Sequence, residues 1–147
     1  MAISNYTTKV DFYKTIGEIQ KELAEHGARK IVIDYNDTGL PTNLTFMIDW
    51  NSQMIGFALP CNYRGVLKAM EKAKVTRSLC TEDQALRVAW RIIKDWVEAQ
   101  MAIVEADVAS MAEVFLPYAI TKDGSTLYNH LQLKGSGLLL TTGESSS

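Results

Sequence analysis

Residues 30–59 read KIVIDYNDTGLPTNLTFMIDWNSQMIGFAL, and this stretch decides the fold. Ile31, Ile33 and Tyr35 alternate with Lys30, Val32 and Asp34. Leu44, Phe46, Ile48 and Trp50 alternate with Thr45, Met47 and Asp49. Ile55, Phe57 and Leu59 alternate with Met54, Gly56 and Ala58. A period of two, rich in β-branched and aromatic residues, marks half-buried strands. Asn36-Asp37-Thr38-Gly39 supplies turn chemistry after the first strand, and Asn51-Ser52-Gln53 makes a short break after the second. Connections this short favour antiparallel neighbours. The stretch predicts a three-stranded antiparallel β-meander with one strongly apolar face. The other face, with Thr45, Asp49, Gly56 and Ala58, is either partly open or covered by a later element.

Upstream, Thr8 reads as an N-cap with Asp11 as a weak capping-box partner. Phe12, Ile16, Ile19 and Leu23 then recur at helical spacing, and Gly27 suits the left-handed position past a helix end. The expectation is a helix from about Lys9 to His26, packed on the apolar face of the meander.

Downstream, Pro60 ends the third strand and Asn62 caps a short basic helix from about Tyr63 to Lys74. Val66, Leu67 and Met70 point inward, and Arg64, Lys68 and Lys72 form an outer stripe. Thr81 and Gln84 make a capping box. No Gly or Pro occurs from Glu82 to Leu116. One apolar stripe there runs Ala85, Val88, Ile92, Trp96, Ala99, Ile103, Ala106. A second runs Leu86, Trp90, Ile93, Val97, Met101, Val104, Val108, Met111, Phe115. A helix over the whole segment would be about 50 Å long, longer than the roughly 30 Å diameter of a domain this size. Either the helix breaks, or its far end packs on something outside the domain. Gln100 and Asp107 lie within the apolar arc. Such residues either set register in a helical assembly or meet backbone and solvent within one chain. Pro117 stops the helix, Lys122-Asp123-Gly124 makes a turn, and Ser125 caps a short segment through Leu131. The architecture expected is α+β: an N-terminal helix, the meander, a short basic helix and a long amphipathic C-terminal helix. One domain spans residues 1–134, and a flexible tail spans 135–147, disordered from Gly143 on.

The chain has 147 residues, 47% of them hydrophobic and 22% charged. That suffices for a core without disulfides or metals. No apolar run is long enough for a membrane span, and MAISNYTTKVDF lacks the features of a signal peptide. Cys61 and Cys80 are too few for a disulfide scaffold or a zinc finger. The net charge of −2 hides an asymmetry. Between Arg64 and Lys94 lie eight basic residues (Arg64, Lys68, Lys72, Lys74, Arg77, Arg87, Arg91 and Lys94) against Glu71, Glu82 and Asp83. Such a segment is either an interaction surface or an ordinary solvated helical face.

The machinery of catalysis is missing. There is no HExxH, CxxC, glycine-rich phosphate loop or GxSxG elbow. His26 sits at a helix end, where a cation suits the dipole. His130 has no ligand-spaced carboxylate or thiol beside it. Cys80 precedes a helix N-terminus but lacks a base. Asp34 and Asp49 read as matching ends of neighbouring strands, where paired carboxylates could bind Mg²⁺, but the third strand adds no acidic partner. No cofactor or metal is expected, and the chain reads as a non-enzyme. Trp90 and Trp96 lie near Arg87, Arg91 and Lys94, but on the apolar stripes, which argues for core tryptophans over a base-stacking platform.

Three stretches carry a resemblance: YTTKV with KTIGEIQKELAEHGARKIVIDY, the LP of FALPCN, and QALRVAWRIIKDWVEAQMAIVEA with AEVFLPY. Over roughly Tyr6 to Leu131 the chain resembles a family of small phage- and prophage-encoded proteins to which no activity is attached. The resemblance implies a viral origin and a bacterial host cytoplasm, and it transfers no site. Small phage proteins without catalytic motifs mostly act by binding. The leading expectation is a protein-binding inhibitor or modulator of a host nucleic-acid-handling complex, such as an anti-CRISPR-type defence antagonist. The alternatives are a DNA- or RNA-binding factor of phage DNA metabolism and a structural subunit of a phage assembly. The interaction surface expected is Arg64, Lys68, Lys72, Arg77, Arg87, Arg91 and Lys94, with weak nucleic-acid contact at most. The long helix, through Trp90, Trp96, Gln100 and Asp107, is the expected route to a homo-oligomer or a partner.

Overall fold

The computed structural model describes residues 5–135 and 137–143. The order is α1 (Phe12–Glu25), β1 (Lys30–Tyr35), β2 (Pro41–Trp50), β3 (Gln53–Pro60), α2 (Tyr63–Lys72), α3 (Glu82–Glu105), α4 (Met111–Phe115) and α5 (Leu127–Lys134). Short 3-10 turns lie at Arg77–Leu79 and Leu116–Tyr118. The protein is α+β.

The meander forms as the alternation requires. β2 is central, antiparallel to both neighbours, with Phe46 opposite Ile31 and Phe57, and Leu44 opposite Ile33 and Leu59. Asn36 builds the first turn: its Oδ1 accepts from the backbone N–H groups of Thr38 and Leu40. The second turn is a two-residue hairpin with Asn51 and Ser52 both at positive φ, 52° and 63°. That geometry matches the right-handed twist of the strands. Leu44, Phe46, Ile48, Phe57 and Leu59 of the inner face share one core with Phe12, Ile16, Ile19 and Leu23 of α1 and Leu86, Trp90, Ile93, Val97 and Met101 of α3. The outer face is partly covered. Ile120 N–H donates to the Gly56 carbonyl, and the Ile120 side chain fills the space where a Cβ on residue 56 would go.

Several boundaries differ from expectation. α1 begins at Phe12, with Asp11 at the N-cap position and no side-chain cap bond. Thr8 lies outside the helix, and its hydroxyl accepts from Val10 N–H instead. α2 ends at Lys72 because Lys74 turns left-handed (φ 58°) and the Val75 N–H closes back on the Met70 carbonyl. The cap of α5 is Thr126, not Ser125, and the helix reaches Lys134. The expected disorder beyond Gly143 lies outside the described residues.

The long amphipathic segment breaks. α3 is 24 residues, about 36 Å, and the chain then reverses. Asp107 adopts φ 60°, the Asp107 N–H bonds the Val104 carbonyl, and the Val108 N–H reaches back to Ile103. That is a Schellman ending. Ser110 and Glu113 then form a reciprocal capping box that starts α4. α4 and the following 3-10 turn fold back on α3, where the Trp96 ring meets Phe115 and Tyr118 edge-on at 5.5 and 5.3 Å. The length that pointed to an outside partner is therefore taken up within the chain.

Candidate functional site

Two helices flank α3 on different sides. α1 packs along the side carrying Arg87, Arg91 and Lys94. α2 packs along the side carrying Ala85, Val88 and Ile92, through Val66, Leu67 and Met70. The basic segment, continuous in sequence, is thereby divided in space.

On the α1 side the cations are paired. Arg91 and Lys94 reach Glu18 of α1 at 3.6 and 3.4 Å, and Lys94 also binds Glu98 one turn on. The Glu98 carboxylate, with Glu18, holds the Lys94 ammonium above its ordinary pKa. Arg87 donates to the Gln84 side-chain carbonyl at 3.2 Å. Arg91 and Lys94 brace the helix pair and Arg87 is held by Gln84 within α3, so the seven residues of the expected basic surface are divided between two sides of α3.

On the α2 side they are free. Asn62 caps the helix by accepting from Gly65 N–H, which orients the first turn. Met70 is fully buried, so Arg64, Lys68 and Lys72 are turned outward and exposed. Lys74 and Arg77 continue the exposed basic run. Among the described residues none of these five forms an ion pair within 4 Å. Beside them lies a shallow cleft of about 370 Å³ lined by Tyr63, Arg64, Leu67, Lys68, Glu71 and Glu82. The Arg64 guanidinium stands 5.8 Å over the Tyr63 ring, and the Tyr63 hydroxyl donates to Glu82. The cleft mixes both signs of charge around an apolar floor.

The association residues of α3 are placed differently from expectation. Trp90 is fully buried, and its indole N–H donates to the Pro41 carbonyl; it is core, because an inward indole satisfied by backbone has nothing left for a partner. Trp96 is half-buried under Phe115 and Tyr118. Gln100 is half-buried on α3, and Asp107 is exposed in the left-handed cap, no longer on the helix. Asp34 and Asp49 do not meet. Asp34 faces Asn43 and Asp49 faces Met54, at opposite ends of β2. An antiparallel hairpin puts the C-terminal ends of its strands apart, and Asp49 pairs with Arg29 at 3.0 Å instead.

The two cysteines are free thiols held within the fold. Burial pushes the Cys61 thiol up to about 12. Cys80 donates to the Val75 carbonyl. Among the described residues no three His, Cys, Asp or Glu gather as metal ligands, and no helix is long and apolar enough to cross a membrane. No family model, curated protein or solved structure matches the chain.

Proposed function

We propose that this is a non-enzymatic binding protein that docks through the exposed face of α2 on an acidic surface of a partner protein. The observation that supports this reading is the free stripe of Arg64, Lys68 and Lys72 bordering a cleft of mixed charge. Unpaired cations around a partly apolar floor suit a protein surface, where carboxylates can meet the stripe and basic groups can meet Glu71 and Glu82. A nucleic-acid strand would have to pass those two carboxylates, which disfavours the DNA- or RNA-binding alternative. On the phage resemblance, the partner is a component of a host nucleic-acid-handling complex of the anti-CRISPR-target kind.

The test is capture from bacterial lysate with the wild-type chain and with Arg64→Glu/Lys68→Glu, read by mass spectrometry. A protein retained by the wild type and lost with the variant, carrying an acidic surface and rebinding when purified, supports the proposal. Salt-sensitive, sub-micromolar electrophoretic shifts of DNA or RNA would instead establish the nucleic-acid reading.

A further inference from the structure

We propose that the chain forms a two-fold dimer through the outer edge of β1, joining two three-stranded sheets into one of six strands. The inference is independent of the role of α2. The two edges of the sheet are treated differently. The β3 edge is partly closed by the bridge between Phe57 and Ala119. β1 lies at the other end of the strand order, and among the described residues only β2 pairs with it. An open strand edge offers a row of backbone donors and acceptors to another chain, and proteins that stay monomeric guard such edges with proline, a central lysine or a bulge. β1, KIVIDY, has no proline, its centre is Val32, 38% exposed, and its charged residues Lys30 and Asp34 and its register shift between Asp34 and Tyr35 lie toward its ends.

The side chains choose the occupant and the register. Antiparallel pairing with Val32 on the two-fold axis sets Lys30 opposite the partner's Asp34 and Asp34 opposite the partner's Lys30. Ile31 then faces the partner's Ile33 on the face that already packs on the helices, so each core continues across the axis. A two-residue slip would put a charge against Val32 and lose both ion pairs. The edge is thus self-complementary in charge, in hydrophobicity and in face. The Asn43 amide bonds the Asp34 Oδ2 at 3.2 Å, which leaves Oδ1 for the partner's lysine.

The test is sedimentation over a concentration series together with cross-linking. The wild type should dimerise. Lys30→Glu and Asp34→Lys should each weaken the dimer about tenfold by setting like charges face to face, and the double swap should restore it. In a Cys80→Ser background, Val32→Cys should form an intermolecular disulfide, because residues opposite one another at the axis lie about 4.5–5.5 Å apart. Asp34→Cys should not, since its two copies would be about 13 Å apart along the strands. The cysteine pair keeps the test valid if a charge variant fails to fold. A wild type that stays monomeric, a double swap that fails to restore, or equal cross-linking at positions 32 and 34 would overturn the proposal.

Discussion

The indole Nε1–H of Trp90 donates to the carbonyl oxygen of Pro41 at 3.1 Å, both groups buried. This one contact pins α3 to the first residue of β2, 49 positions away in sequence. A buried indole N–H without an acceptor is costly, so the bond also fixes how far α3 slides along the sheet. Trp90→Phe should cost about 2–4 kcal/mol, from the lost bond and the space left behind. In a chain of this length that lowers the melting temperature by about 5–15 °C, readable by circular dichroism.

Gln84 is one of two buried polar residues among the described residues, and its side-chain amide donates to the Tyr6 and Thr8 carbonyls, both at 2.9 Å. Its backbone N–H meanwhile takes the Thr81 hydroxyl, so half of the expected capping box is present and the other half is spent holding the N-terminal segment. Gln84→Leu should leave two carbonyls and Arg87 short of a partner, at about 1–3 kcal/mol. Residues 5–10 should then exchange their amide protons faster than in the wild type while the sheet remains protected, as hydrogen exchange would show.

The hairpin residue Ser52 adopts φ 63° with an ordinary side chain. Glycine enters that region without the steric cost that Cβ brings. Ser52→Gly should therefore stabilise the protein by about 0.5–1 kcal/mol, raising the denaturant midpoint with an unchanged slope.

Ser52 also marks what was legible in the sequence. The strands and both turns could be read because period-two patterning and turn residues are local signals, and the register follows once one face is apolar. The ending of α3 was written there too, in Ser110 and Glu113, whose spacing is a helix start. It was masked because Val104, Val108, Met111 and Phe115 keep helical spacing straight through the break. Val108, on that stripe, is 74% exposed, since the chain has already turned. The division of the basic segment was not legible at all. It depends on α1 and α2 packing on different sides of α3, a long-range relation that linear charge counting cannot contain.

His26 carries a pH dependence with a defined sign. Its Nδ1 meets the Glu22 carbonyl at 2.8 Å and its Nε2 meets the Glu105 carboxylate at 2.7 Å. Both partners accept, so only the doubly protonated ring satisfies both. The Glu22 carbonyl first, then Glu105, against the opposing effect of burial, raises the pKa above the ordinary 6.5. A pKa raised by folding contributes stability that is fully present below 6.5 and is lost as pH rises through the folded value. Denaturant titrations from pH 5.5 to 8.5 should show that loss, and His26→Gln should flatten it. An unchanged profile in the variant would refute the role given to His26.

The sharpest separation lies between the two sets of cations. Arg64, Lys68 and Lys72 are exposed and unpaired among the described residues, so reversing them removes no ion pair. Stability should move by no more than about 0.5 kcal/mol per residue. Arg91 and Lys94 hold Glu18 with side chains only 20% and 14% exposed. Replacing both with alanine should cost about 1 kcal/mol and loosen α1 from α3. Binding should follow the opposite order. The α2 reversals should abolish partner capture, and the α3 pair should leave it intact, because those side chains face α1 and not solvent. A competent partner interaction surviving Arg64→Glu/Lys68→Glu/Lys72→Glu, but lost with Arg91→Ala/Lys94→Ala at full helicity, would move the binding surface to the α1–α3 seam.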